Sequence, residues 1–81
     1  MYKLPLTYKK EDLDKIMFKP LKIYVGSNNS DKVNETYEGE IIKCGLASNP
    51  PNLPVDIEFR LSNGVIKTFD FFEIKRFSDI D

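Results

Sequence analysis

The side chains able to do chemistry are few, and their types narrow the options quickly. Histidine is absent, which removes the commonest general acid, general base and metal ligand. Cys44 is the sole thiol. It lies in the apolar stretch Ile41-Ile42-Lys43-Cys44, and its only adjacent base, Lys43, points to the opposite face of a strand. That pattern predicts a small buried hydrophobe, not a nucleophile. Carboxylates recur at i, i+2 as Glu38/Glu40 and Asp56/Glu58. Such pairs can hold Mg²⁺ or divide acid and base roles. On a strand they equally form a solvated face, which is the expectation here. No glycine-rich phosphate loop, nucleophile elbow or zinc-type spacing occurs. The expectation is a non-enzyme with no catalytic residues, no metal and no cofactor.

Binding chemistry is better supplied. Arg60, Lys67, Lys75 and Arg76 could meet phosphates, with Tyr24 or Tyr37 to stack on bases. Against a nucleic-acid role, Asp56, Glu58, Asp70 and Glu73 interleave with those cations, and the net charge is −1. A protein partner is the favoured expectation. Its candidate contacts are Tyr24, Tyr37, Asn49, Pro51 and Leu53. Pro50-Pro51-Asn52-Leu53-Pro54 is stiff and presents Leu53 near its tip, and a preorganised loop loses little entropy on docking. The competing expectation is that Leu53 folds back over an open end of the sheet. Pro51-x-x-Pro54 also fits a polyproline ligand but lacks a flanking arginine. An exposed edge, Leu21–Val25 or Phe72–Phe77, could pair with a second copy. An accessory subunit or a small inhibitor with an acidic face both fit this class. Residues 1–25 carry six lysines against three carboxylates, whereas the remainder is net acidic. The basic end is expected to satisfy the acidic body internally.

These residues must be positioned by local elements. Val55, Ile57, Phe59 and Leu61 alternate with polar residues, as a half-buried strand requires. After Ser62-Asn63-Gly64 a second strand runs from Val65 to Phe71. A two-residue turn would put Phe69 and Phe71 on the face of Arg60 and Glu58. A three-residue loop pairs Leu61 with Val65, Ile57 with Phe69 and Val55 with Phe71, gathering the apolar residues on one face. Gly64 is then the left-handed residue of a bulge.

Upstream, Thr7 is expected to cap a helix over about residues 8–18, with Leu13, Ile16, Met17 and Phe18 as its apolar stripe and Pro20 as its stop. Leu21–Val25 reads as a strand, residues 26–36 as a long polar loop whose oxygens lack calcium-loop spacing, and Tyr37–Leu46 as a strand whose phase changes at Ile41-Ile42. Residues 47–54 form a proline-stiffened connection. A second phase change at Phe71-Phe72 hands the core over to Phe72 and Ile74 in a last strand, Phe72–Phe77. The tail from Ser78 to Asp81 is expected to fray.

At 81 residues the chain is expected to be one domain, 1–81, with 1–20 as a helical extension packed on the sheet. The fold class is mostly β: a small antiparallel sheet of four or five strands whose phase breaks let it curl. This architecture resembles a partly open Src-homology-3-like barrel. No run is long and apolar enough for a membrane span, and the lone cysteine and unremarkable N-terminus suggest a cytoplasmic protein.

Overall fold

A computed structural model describes residues 2–80. Five strands, β1 (Leu21–Val25), β2 (Glu35–Leu46), β3 (Pro54–Leu61), β4 (Ile66–Asp70) and β5 (Ile74–Ser78), form one antiparallel sheet in the order β4-β3-β2-β1-β5. Two 3₁₀ turns, Pro5–Thr7 and Phe71–Glu73, and one short helix, α1 (Lys10–Asp14), complete it. The sheet must curl. A flat sheet would hold its two edge strands about 19 Å apart, four spacings of about 4.8 Å. Asp70 ends β4 and Ile74 begins β5, and a four-residue step reaches about 14 Å at most. The curl brings Leu21, Ile23, Ile41, Ile57, Phe59, Phe69, Phe71, Ile74 and Phe77 into one core, joined by Tyr8, Leu13 and Ile16.

The β3–β4 hairpin has the three-residue loop. Ile57 pairs with Phe69 and Phe59 with Lys67, and the Leu61 N–H donates to the Val65 carbonyl at 2.8 Å. Gly64 has φ of 91°, a left-handed conformation that a side chain would strain. The ladder stops at Asp56–Asp70, so Val55 and Phe71 are not paired: Phe71 is buried in the following 3₁₀ turn and Val55 is exposed. The phase change in β2 is a bulge. Ile41 faces Phe59, Ile42 is skipped, and Lys43 faces Glu58. At Gly39 the strands pass so closely that a Cβ would collide with the Arg60 carbonyl oxygen.

Several expectations fail. The helix is Lys10–Asp14 alone, followed by turns, and Thr7 does not cap it. Thr7 instead ends a 3₁₀ turn, its hydroxyl donating to the Leu4 carbonyl. Lys9 occupies the cap position, its N–H donating to Asp12 Oδ2 at 2.9 Å. Phe18 leaves the stripe because its φ is 61°, which no helix sustains, and its N–H donates to the Ile41 carbonyl beside the bulge. Leu13 and Ile16 do face the core. Leu21–Val25 is no edge: it pairs with β2 on one side and β5 on the other. The last strand begins at Ile74, not Phe72, because residues 71–73 form the 3₁₀ turn. Phe72 therefore points outward, 57% exposed. The tail is held as far as Asp79, whose carboxylate accepts from the Tyr2 hydroxyl at 2.5 Å; that bond pushes the Tyr2 pKa up to about 12. Asp81, the end of the expected frayed tail, and Met1 lie outside the described residues.

Candidate functional site: an apolar groove beside Leu53

Leu53 is positioned by its own loop. The Ala47 N–H donates to the Leu53 carbonyl at 2.9 Å, and Asn52 Nδ2 donates to the Ala47 carbonyl at 2.8 Å. The Pro50–Pro51 peptide is cis, and Asn52 adopts a φ of 56°. Leu53 itself is 44% exposed. It lies beside the core residues Tyr8 and Phe71 with part of its surface open. Val55 lies beside it, two residues along the chain in β3, and two other segments meet it: Leu6 from the first 3₁₀ turn and Phe72 from the second. With buried Tyr8, Pro54 and Phe71 they line a groove of about 260 Å³ that carries no charged side chain. Leu6 is 67% exposed, and Val55 and Phe72 are also exposed. Left in water, large apolar side chains forgo burial worth about 1.5–3 kcal/mol each. Gathered around one groove, they mark a docking surface more than scattered ones do.

The other expected contacts do not join this groove. Asn49 and Pro51 are exposed on the same loop but outside its lining, and the Asn49 carbonyl accepts from the Asn52 N–H at 2.9 Å. Tyr24 sits on the outer face of β1. The Arg76 guanidinium lies 4.3 Å from its ring centroid and Lys22 Nζ 5.3 Å. Its phenol is held below the ordinary tyrosine value, mainly by the Ser78 hydroxyl bonded to it and then by Arg76 and Lys22. Tyr37 packs on Phe69 at 5.2 Å between centroids, with Lys67 Nζ 5.2 Å from its ring. Its hydroxyl donates to Glu35, which raises its pKa.

The four cations of the nucleic-acid reading are dispersed. Arg60 is paired with Glu40, Lys67 covers Tyr37, Lys75 Nζ donates to the Phe72 carbonyl at 2.9 Å, and only Arg76 joins Tyr24. A larger groove of about 460 Å³ runs past Glu38, Glu40, Arg60 and Ser62. Its arginine is already neutralised by Glu40. Cys44 is half-buried beside Leu13, Met17 and Leu46. Burial pushes its thiol pKa up, which keeps it protonated and weakly nucleophilic at neutral pH. Among the described residues no cluster of three metal-ligating side chains occurs, and no helix is long and apolar enough to cross a membrane.

No family model matches this chain, and neither a curated protein nor a solved structure matches it significantly. The geometry therefore carries the functional reading alone.

Of the groove's lining, sequence reasoning reached Leu53 and missed Leu6, Val55 and Phe72. A signal was present for two of them. Leu6 follows Pro5 in a segment with little regular structure, and Phe72 is the second of two adjacent phenylalanines at a phase break.

Proposed function

We propose that this chain is a non-enzymatic protein-interaction module, an accessory subunit or small inhibitor, built on a partly open Src-homology-3-like barrel. The strand order β4-β3-β2-β1-β5 and the single turn joining the two edge strands support the barrel reading. The observation that carries the functional reading is the convergence of Leu6, Leu53, Val55 and Phe72 on one uncharged groove. Three stretches distant in sequence supply it, residues 6–8, 53–55 and 71–72, so it exists only once the chain is folded. The floor is fixed by core residues, with Tyr8 packed edge-on to Phe71 at 6.4 Å. A rigid floor under exposed apolar side chains lets a partner dock without ordering the surface first.

The test is affinity capture from lysate with nuclease present, comparing wild type with Leu53→Ser/Phe72→Ser. The expected result is a protein retained on wild type and lost on the double variant. Equal retention on both would reject the groove. The alternative, a nucleic-acid-binding barrel, is favoured by one observation, the stacking of Arg76 on Tyr24. It predicts nuclease-sensitive, salt-sensitive capture that Arg76→Ala weakens.

A further inference from the structure

A second surface lies apart from the groove, at the free edge of β4. Among the described residues β4 pairs with β3 alone. The hydrogen bond from Leu61 N–H to the Val65 carbonyl fixes the alternation along the hairpin. Leu61 and Val65 share that one bond, because the Val65 N–H turns to Asn63 Oδ1 at 3.0 Å; in the same alternation Phe59–Lys67 and Ile57–Phe69 are the hydrogen-bonded pairs, and Arg60–Ile66, Glu58–Thr68 and Asp56–Asp70 are not. Ile66 and Thr68 therefore turn their N–H and C=O groups away from β3, toward open edge. The next outward donor, the Asp70 N–H, is taken by Glu73 Oε1 at 2.9 Å.

The side chains of the same residues lie on the outer face, and their charges are uneven. Cross-strand pairs neutralise the neighbouring rows: Arg60 with Glu40, and Lys43 with Glu58 at 3.8 Å. Asp56 and Asp70 stand directly opposite each other, and neither has an ion-pair partner among the described residues. Like charges facing across a strand pair are unfavourable. Ile66, at the other end of the strand, is 52% exposed on that face.

We infer that the β4 edge accepts an extended segment of a different protein as a sixth strand, with a lysine or arginine beside Asp70 and an apolar residue beside Ile66, four positions apart. The open backbone groups of Ile66 and Thr68 supply the main-chain pairing. The facing carboxylates of Asp56 and Asp70 supply the charge preference, and Ile66 supplies the apolar contact. A second copy of this chain fits less well. Two-fold pairing of β4 with itself about Thr68 would set Asp70 against Ile66 and leave both carboxylates without a counter-charge. The inference is independent of the groove, so failure of one leaves the other standing.

The test is an NMR titration with two capped peptides, Lys-Val-Thr-Val-Ile flanked by serines and its counterpart with glutamate for lysine. The expected result is slowed amide exchange at Ile66 and Thr68 and binding about fivefold or more tighter for the lysine peptide, a preference that high salt reduces and that Asp70→Asn diminishes. Thr68→Pro, which removes an outward donor, is expected to abolish binding while the Leu61 amide stays protected, reporting an intact hairpin. Three results would overturn the inference: no response at Ile66 and Thr68 at millimolar lysine peptide, equal affinity for both peptides, or shifts confined to the groove around Leu53 and Phe72.

Discussion

Phe18 and Phe72 are almost equally exposed, 63% and 57%, yet they stand in different surroundings. Phe18 sits at a left-handed backbone position, fixed by the bond from its N–H to the Ile41 carbonyl. It lies outside the lining of the apolar groove. Phe72 sits in that groove with Leu6, Leu53 and Val55. Phe18 is outward because the chain must turn there to enter β1. Phe72 is outward because the 3₁₀ turn that joins the sheet edges gives the core Phe71 in its place. Exposure by itself therefore carries no functional meaning. Grouping over an uncharged floor of core residues is the feature on which the proposed docking role rests.

That contrast can be sharpened by separating what holds the floor from what decorates it. Phe69→Ala should cost about 3–5 kcal/mol in denaturant unfolding, because the ring is 7% exposed and packs against both Phe59 and Tyr37. A loss under about 0.5 kcal/mol would reject the hairpin register. Gly39→Ala should cost about 1–3 kcal/mol as an overpacking change, since the added methyl meets the backbone of Arg60. Gly64→Val should cost about 1–2 kcal/mol from its positive φ alone, as no atom lies within 4 Å of a Cβ there. Phe72→Ser should cost less than about 1 kcal/mol, as for most surface changes, while removing partner capture. A cost matching that of Phe69→Ala would make the groove part of the core and end the contrast.

The smallest effect belongs to the N-terminal segment that positions Leu6. The Lys9 N–H and then Lys3 hold the Asp12 carboxyl below the ordinary aspartate pKa. A depressed carboxylate pKa contributes stability above the unfolded value of about 3.9 and loses it as pH falls through the folded value. Wild type should therefore exceed Asp12→Ala in stability at neutral pH, with the difference shrinking through the acidic range. A difference that persists at low pH would mean the contact is not electrostatic.

The hairpin was legible in the sequence because its register follows from local rules. Three residues closing on a glycine, and alternation on both sides, leave one pairing that gathers Ile57, Phe59 and Phe69. The bulge at Ile42 was legible for the same reason, as a change of phase within one strand. The helix length was not, because Leu13, Ile16 and Met17 keep the same spacing in a helix and in the turns that follow α1. The interior position of β1 was not, because strand order depends on residues far away in sequence. The candidate site divides along the same line. Leu53 could be singled out because prolines stiffen its own loop, and Val55 lies only two residues along the chain, whereas Leu6 and Phe72 become their neighbours only when the curled sheet brings three distant segments together.

The most direct test places a photo-crosslinking phenylalanine analogue at position 72, and in a second protein at position 18. Both sites are similarly exposed, so accessibility cancels. The account predicts a discrete crosslinked protein partner from position 72, lost when Leu53→Ser is added, and no such product from position 18. Equal crosslinking from both positions, or a product from position 18 alone, would contradict it.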